Sequence, residues 1–264
     1  MLSYSFMQHA FVAGTLIAII CGMVSFFVVL RKAAFVAHSL GHTSLTGASG
    51  AMLIGLSAMN GQLIANVIGA MIMAFLEDKI KKNDLAVGIV LTFFLGLSAY
   101  FLYLYQTGYS GSVMSIFFGN ILVVSAQQIR ILVIMSGIII TILASIARAL
   151  FFSSIDPVIA AAKNIPSRRL AMIFSIVLAF TVTMACQIVG VLLVSALLIG
   201  PAASAFLFSD GFYKVMLLSI LISVISVWGA LCLAFYANLP VSFCITMIIC
   251  VIYGLCLMNN RRRG

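Results

Sequence analysis

The sequence is short of charge. Only 7% of its 264 residues are charged, with five acidic side chains against fourteen Lys and Arg, while 64% are hydrophobic. Soluble domains carry about a quarter charged residues. The shortage excludes a soluble globular domain and predicts an integral membrane protein.

Long polar stretches are missing as well. Apolar runs of about 20 residues, the length that a helix needs to cross a bilayer, recur along the chain. They leave no room for a soluble domain, so we predict a single all-α transmembrane domain over residues 1–264. The start lacks a basic leader with a small-residue cleavage site, so the first helix is expected to be retained.

Hydropathy and turn residues predict a bundle of about nine transmembrane helices. The third span is short, and the sixth and seventh are nearly fused at "CQIVGVLL", so that pair could be one broken helix. The piece "GSVMSIFFGNILVVSA", residues 111–126, is too short for a span and is interpreted as a partly inserted or surface helix. The predicted spans are residues 11–30, 34–56, 62–76, 85–105, 129–150, 170–189, 191–208, 215–236 and 241–257.

The basic residues give an orientation. With nine spans, thirteen of the fourteen Lys and Arg fall on one side and only Arg130 on the other, as the positive-inside rule expects. Merging the sixth and seventh spans would send Lys214 and the "RRR" tail to the outside. The pattern therefore favours an external amino terminus and a cytoplasmic carboxyl terminus. It also accounts for the net charge of +9 without nucleic acid.

Sequence signals for catalysis are missing. The six cysteines form no CxxC pair and are interpreted as packing residues. The chain has no GxxxxGK[ST] phosphate loop, so we do not expect it to hydrolyse ATP itself. Apart from histidine, no acid, base or nucleophile cluster lies at membrane depth, and the prediction is a non-enzyme.

Two of the three histidines, His38 and His42, lie four residues apart inside the second predicted span. That spacing places them on one face, where they could share a metal ion such as zinc. Ionisable residues at that depth usually face a cavity or a pathway. The alternative is a pair of neutral histidines hydrogen-bonded to other helices, and the residues alone leave both open. His9, near the outer surface, is a further candidate for metal capture.

A second segment, "QIVGVLLVSALLIGPAASAFLFS", combines Gly190, Gly200 and Pro201 with small residues. Small residues permit close helix packing, and proline frees a backbone carbonyl. Tight packing is one interpretation; a pathway-lining helix, with Gln187 and Ser204 as candidates, is the other.

The largest cytoplasmic loop is predicted to contain a short helix, at about residues 155–165. Asp156 suits a helix N-cap and Pro157 the first helical position. The element is either a docking helix for a cytoplasmic partner or an amphipathic loop helix on the membrane. Its candidate contact residues are Asp156, Pro157, Ile159, Ala160, Ala161 and Lys163.

These blocks together resemble the membrane permease subunit of the ABC importers that take up zinc, manganese or iron. "FVVLRKAAFVAHSLGHTSLTG" is similar to that family's "VVLRR" and "GDALSHAxLPG" pattern, and "FFGNILVVSA" to its "LFGNLLAVS". "SSIDPVIAAAKNIP" resembles its coupling-helix loop, and "VGVLLVSALLIGPAASAFLFS" its "VGVLLVVALLVIPAATARLL". The blocks follow the family's order over nearly the whole chain.

The departures from the family pattern concern the metal path. His38 stands where the family has aspartate, and Asn238 replaces another aspartate, while His42 keeps the family histidine. Thr46 stands for a proline and Ser242 for a glycine. Nitrogen in place of oxygen shifts the expected preference from manganese toward zinc, and equally allows a weakened site or ligands supplied elsewhere.

The resemblance implies a homodimeric permease in a bacterial cytoplasmic membrane, coupled to separate ATPase subunits and an extracytoplasmic metal-binding protein. It implies no permanently bound cofactor, only a transported ion, with zinc first and manganese or iron(II) as alternatives. A secondary metal carrier, or an importer of vitamin B12 or chelated iron, would be the other transport classes. A carrier would usually show intramembrane carboxylates and internal repeats, and we find no convincing repeat.

Overall fold

A computed structural model describes residues 4–79, 83–104, 116–119, 121–156, 160, 162–163, 166–209 and 211–261. Within these ranges the chain forms nine long helices, a 3₁₀ turn at Ile121–Val123, and no strand. The helices are α1 (Ser5–Leu30), α2 (Ala34–Leu53), α3 (Ala58–Lys79), α4 (Asn83–Leu104), α5 (Ala126–Ile155), α6 (Ser167–Val189), α7 (Val191–Phe206), α8 (Phe212–Ala237) and α9 (Val241–Arg261).

The predicted all-helical membrane bundle is confirmed. Seven of these helices are long and apolar enough to cross a bilayer, and the other two are α2 and α7. Helix α7 has only 16 residues, and α2 carries two histidines and five Ser or Thr side chains that lower its hydropathy. Helices α3 and α5 both extend beyond the spans predicted for them.

Helices α6 and α7 are separate, and the chain reverses between them at Gly190, whose φ is 92°. The Ala202 N–H, near the end of α7, donates to Ser25 Oγ, near the end of α1. Helix α7 therefore returns to the end of the bundle where α1 stops. That end, called here the basic end, carries Arg31 at the close of α1 and Arg168 at the start of α6.

The segment before α5 seals the reversal at Gly190. Residues 116–118 are helical, and Gly119 follows with a φ of 72°. A Cβ on Gly119 would lie 2.3 Å from the Val189 carbonyl carbon, and a Cβ on Gly190 would lie 2.4 Å from the Gly119 nitrogen. Both backbone conformation and space therefore require glycine. This segment was predicted to be a partly inserted or surface helix; among its described residues Ile121 is buried against α1, whereas Phe118 and Val123 remain exposed.

The core is centred on α1 and α6. Their apolar stretches are the most enclosed of the candidate spans, with about seven in ten residues buried. At the basic end, Phe26 of α1 packs against Phe212 and Phe206, with ring centroids 5.2 and 5.5 Å away. This core holds the ends of α1, α7 and α8 together, while α2 packs against α3, α4, α6 and α7.

Candidate metal site and predicted coupling loop

His38 and His42 lie on the same face of α2, as their spacing predicts. Their ring centroids are 4.9 Å apart with the planes at 78°, and both side chains are half-buried. Two imidazoles at this separation can approach one ion with small rotations of their side chains. Because neither ring is sealed in the core, an ion could reach them from outside the chain.

Close helix packing fixes the position of the histidine face. A Cβ on Gly61 of α3 would lie 2.1 Å from the Gly47 carbonyl oxygen, so α2 and α3 touch through their backbones. His38 and Gly47 are nine residues apart, which is about 180° around a helix. The histidines therefore point away from α3. They open between α7, which Gly41 approaches at Val191, and α4, where Phe35 packs near Gly88.

No complete metal site exists within one chain, as far as the structure describes it. Across the described residues, no group of three or more His, Cys, Asp or Glu side chains comes together. The pair could therefore supply only a two-nitrogen half-site. Such a site is incomplete for zinc, which usually takes four ligands.

A buried polar network behind the histidines was missed by the sequence analysis. Asn66 Nδ2 of α3 donates to Ser44 Oγ of α2 at 2.6 Å and to Thr183 Oγ1 of α6 at 2.9 Å. Asn66 Oδ1 and, one turn earlier, Gln62 Oε1 are buried with no hydrogen-bond partner among the described protein atoms. Buried amides are costly in an apolar surrounding unless paired. The signal was an Asn and a Gln four residues apart in an otherwise apolar run.

The other predicted pathway residues lie apart from the histidines. Gln187 lines a cavity of about 280 Å³ with the first turns of α3 and α5, and Asn238 lines one of about 510 Å³ beside the start of α1. Neither histidine contributes to these cavities. Ser204 is buried, and its hydroxyl donates to the Gly200 carbonyl within α7. His9 is half-buried on α1, at the end opposite the basic end.

The predicted coupling loop follows α5 at the basic end. Asp156 is the C-cap of α5, and its carbonyl oxygen accepts a bond from the Ala160 N–H at 3.0 Å, which is the spacing of a helical turn. Ala160 is buried, and Lys163 Nζ lies 5.9 Å from the Phe152 ring centroid. Pro157, Ile159 and Ala161 lie outside the described residues.

Comparison with known proteins decides the family. The pattern of the ABC 3 transport family matches residues 3–260, nearly the whole chain. The chain belongs to the ABC 3 transport family. The permease resemblance drawn from the sequence blocks is thereby confirmed, and the fold class with it.

Curated relatives agree with this ABC 3 assignment, and a solved structure shares the fold. The manganese transport system membrane protein MntC of Halalkalibacterium halodurans is 29% identical, over 100% of this chain and 90% of that protein. A probable metal transport system membrane protein of Treponema pallidum is 30% identical, over 90% and 89%. PsaBC from Streptococcus pneumoniae in complex with Fab superposes with a TM-score of 0.85 at 24% identity, over 96% of this chain and 91% of that one.

Two departures from the ABC 3 pattern have a structural role here. Thr46 Oγ1, where the family pattern has proline, donates to the Phe94 carbonyl of α4 at 2.7 Å. Ser242, where the pattern has glycine, donates to the Phe118 carbonyl beside Gly119. The first bond ties α2 to α4 and the second ties the start of α9 to the segment that seals Gly190.

Proposed function

We propose that this metal ABC importer permease carries manganese into the cytoplasm, and that His38 and His42 are its transient ligands. The half-buried pair on the open face of α2 is the observation that carries the proposal. Several relatives are named as manganese transport or import proteins, which favours manganese over the zinc expected from the sequence.

Zinc remains the second candidate because of the ligand atoms. Manganese prefers carboxylate and carbonyl oxygen, whereas imidazole suits zinc and other late metals. The His38 imidazole stands where the family pattern has a carboxylate, so this chain offers two nitrogens where its relatives would offer one nitrogen and one oxygen. The identity of the relatives and the chemistry of the ligands therefore point to different metals, and a transport measurement decides between them.

A second copy of the chain would complete the site. Two half-sites facing each other across a two-fold axis supply four imidazoles, enough for tetrahedral coordination. The histidines open between α4 and α7, on the side of α2 away from α3, and this face would meet the partner. A site shared between two chains can also be opened by moving the chains apart, so the ion is released rather than retained.

The remaining partners follow from the ABC class. We propose that the basic end faces the cytoplasm and that the loop from Asp156 to Lys163 docks on a separate ATPase subunit. The support is the concentration of Lys and Arg at this end and the helical turn at Ala160. A metal-binding protein would deliver the ion at the opposite end, where the amino terminus lies. The membrane would be the bacterial cytoplasmic membrane.

The test uses the permease reconstituted in vesicles with its ATPase and binding protein. ATP-dependent uptake of manganese and of zinc is measured for the native chain, for His38→Ala with His42→Ala, and for His9→Ala. The double variant is expected to take up the cargo metal at least about tenfold more slowly. Losing a group that only supports the ligands of a metal site already costs about tenfold, and losing the ligands themselves should cost no less. ATP hydrolysis should persist. His9→Ala, the matched control on α1, should transport normally.

Each result decides something. Faster native uptake of manganese supports the proposal, and faster uptake of zinc replaces it with the second candidate. Normal uptake by the double variant would show that the two histidines are packing residues. Transport that needs no ATPase would overturn the importer mechanism.

A further inference from the structure

A groove opens at the basic end of the bundle, between α1, α3 and α6. Its volume is about 290 Å³. It lies on the α3 and α6 side of the chain, and neither histidine lines it. Its lining consists of Arg31, Met71, Ala74, Phe75, Ser167, Arg168, Ala171, Met172 and Ile176.

The lining is divided between a polar mouth and an apolar interior. Arg31, Ser167 and Arg168 lie where α1 ends and α6 begins, so they mark the membrane surface at this end. Ile176 is eight residues further along α6, about 12 Å deeper at 1.5 Å per residue. Met71 is likewise one turn deeper along α3 than Phe75. The groove thus runs from two guanidinium groups down into the apolar layer.

The groove walls face outward. Met71 is 55% exposed, Phe75 51% and Met172 42%. Large apolar side chains exposed at this depth are in contact with lipid chains or with another apolar surface. A water-soluble anion would leave these walls uncovered, whereas an amphiphile would cover them.

The charge at the mouth is held in place. Arg31 Nη1 donates to Ser154 Oγ at 3.4 Å, and its Cζ lies 5.7 Å from the Phe174 ring centroid. Arg168 lies in the first turn of α6, where backbone N–H groups and the helix dipole also favour an anion. Arginine suits a phosphate because its planar donors match the phosphate oxygens.

We propose that this groove binds an anionic phospholipid from the leaflet at the basic end. The phosphate of the headgroup lies between Arg31, Arg168 and the start of α6. One acyl chain lies along Met71, Ala171 and Ile176. The lipid bridges α1, α3 and α6 immediately after the loop that follows α5, so it stabilises the bundle where that loop is anchored. The inference holds whichever metal the permease carries.

The test measures lipid binding to the purified full-length chain. Native mass spectrometry in neutral detergent gives apparent dissociation constants for dioleoylphosphatidylglycerol and dioleoylphosphatidylcholine. We expect tighter binding of the anionic lipid and a loss of about fivefold on Arg168→Gln, as expected for one basic residue at an anionic surface. Arg169→Gln is the matched control, because it removes the same charge one residue further along without lining the groove. It should change the constant less than about twofold.

Two further arms separate a lipid from a simple anion. Ala171→Phe keeps every charge and fills the apolar part of the groove. It should therefore weaken binding of the anionic lipid as much as Arg168→Gln does. The unfolding midpoint of Ala171→Phe is measured in the neutral lipid, and an unchanged midpoint shows that the variant is folded. If the midpoint drops, the smaller substitution Ala171→Val is tested in its place. A large excess of inorganic phosphate should not displace the lipid.

The opposite results overturn the proposal. Equal losses for Arg168→Gln and Arg169→Gln would show attraction to the basic end as a whole rather than a site. Displacement by inorganic phosphate, with no effect of the groove-filling variant, would show a plain anion site. Equal binding of the two lipids would show that the arginines do not select an anionic headgroup.

Discussion

Helices α2 and α5 each contain five Ser or Thr side chains but differ in burial and in what those side chains bond to. Eleven of the 20 residues of α2 are buried, against six of the 30 residues of α5. Helix α2 is wedged between α3, α4, α6 and α7, whereas α5 lies at the edge with Val133, Ile134 and Ile138 exposed. The more apolar helix is the outer one, because lipid is as apolar as a protein core.

The hydroxyl groups of α2 and α5 also differ in the partners to which they are hydrogen-bonded. In α5 the Thr141 and Ser145 hydroxyls donate to Gly137 and Ile142 carbonyls one turn earlier, within the helix itself. In α2, Ser44 accepts from Asn66 of α3, and Thr46 donates to α4. Hydroxyl groups in the middle of α5 therefore bond within the helix, whereas Ser44 and Thr46 of α2 connect helices; near the end of α5, Ser154 also accepts from Arg31 of α1.

The largest expected effect comes from the glycines. A Cβ on Gly61 would lie 2.1 Å from the Gly47 oxygen and 2.4 Å from Ala51 Cβ, so Gly61→Ala must push α3 away from α2. We expect a loss of about 3 kcal/mol or more in unfolding free energy, measured by denaturant titration in mixed micelles, with uptake lost as well.

The matched change in the other helix is Gly137→Ala in α5. A Cβ there meets nothing within 4 Å. Replacing a helical glycine by alanine should stabilise the chain by about 0.5–1 kcal/mol. If the two variants were equally destabilised, the contrast between α2 and α5 would be wrong, and a second chain packed on α5 would explain it.

An intermediate effect is expected at Asn66. Asn66→Leu keeps the approximate size and removes both bonds that join α3 to α2 and α6. Interhelical bonds in membranes contribute about 0.6 kcal/mol on average and up to about 1.7. We expect a loss of about 1–2 kcal/mol, and reduced metal uptake because Ser44 lies half a turn from His42. Unchanged stability together with unchanged uptake would show that the network does not position the histidines.

The smallest effect compares two threonines. Thr46→Val removes the bond to the Phe94 carbonyl and should cost about 0.6 kcal/mol. Thr141→Val removes a bond inside α5 and should cost close to nothing, because the Gly137 carbonyl keeps its helical partner. Thermal unfolding midpoints in the same detergent give both values. A larger loss at Thr141 than at Thr46 would contradict the distinction between the two helices.

The spans and the family could be predicted from the sequence because both depend on local, additive signals. Twenty-residue apolar runs, Gly190 as a breaking residue and the order of the motif blocks were all readable. The third span was predicted to begin at residue 62 because the polar "MNG" at residues 59–61 was assigned to the preceding loop, whereas the structure starts α3 at Ala58. The role of residues 116–119 and 121–123 was also hidden, since their packing depends on Gly190, some 70 positions later.

The sequence by itself determined the transmembrane class, the nine long helices seen among the described residues, the face shared by His38 and His42, and the sorting of basic residues to one end. These follow from side-chain hydrophobicity, charge and the 3.6-residue repeat, which act within single helices. Only the tertiary structure decided that the histidine face opens between α4 and α7, that Asn66 joins three helices, and that two arginines share a groove with apolar walls. Each of these depends on which helices touch and at what rotation, and that is set by backbone contacts such as Gly47 with Gly61.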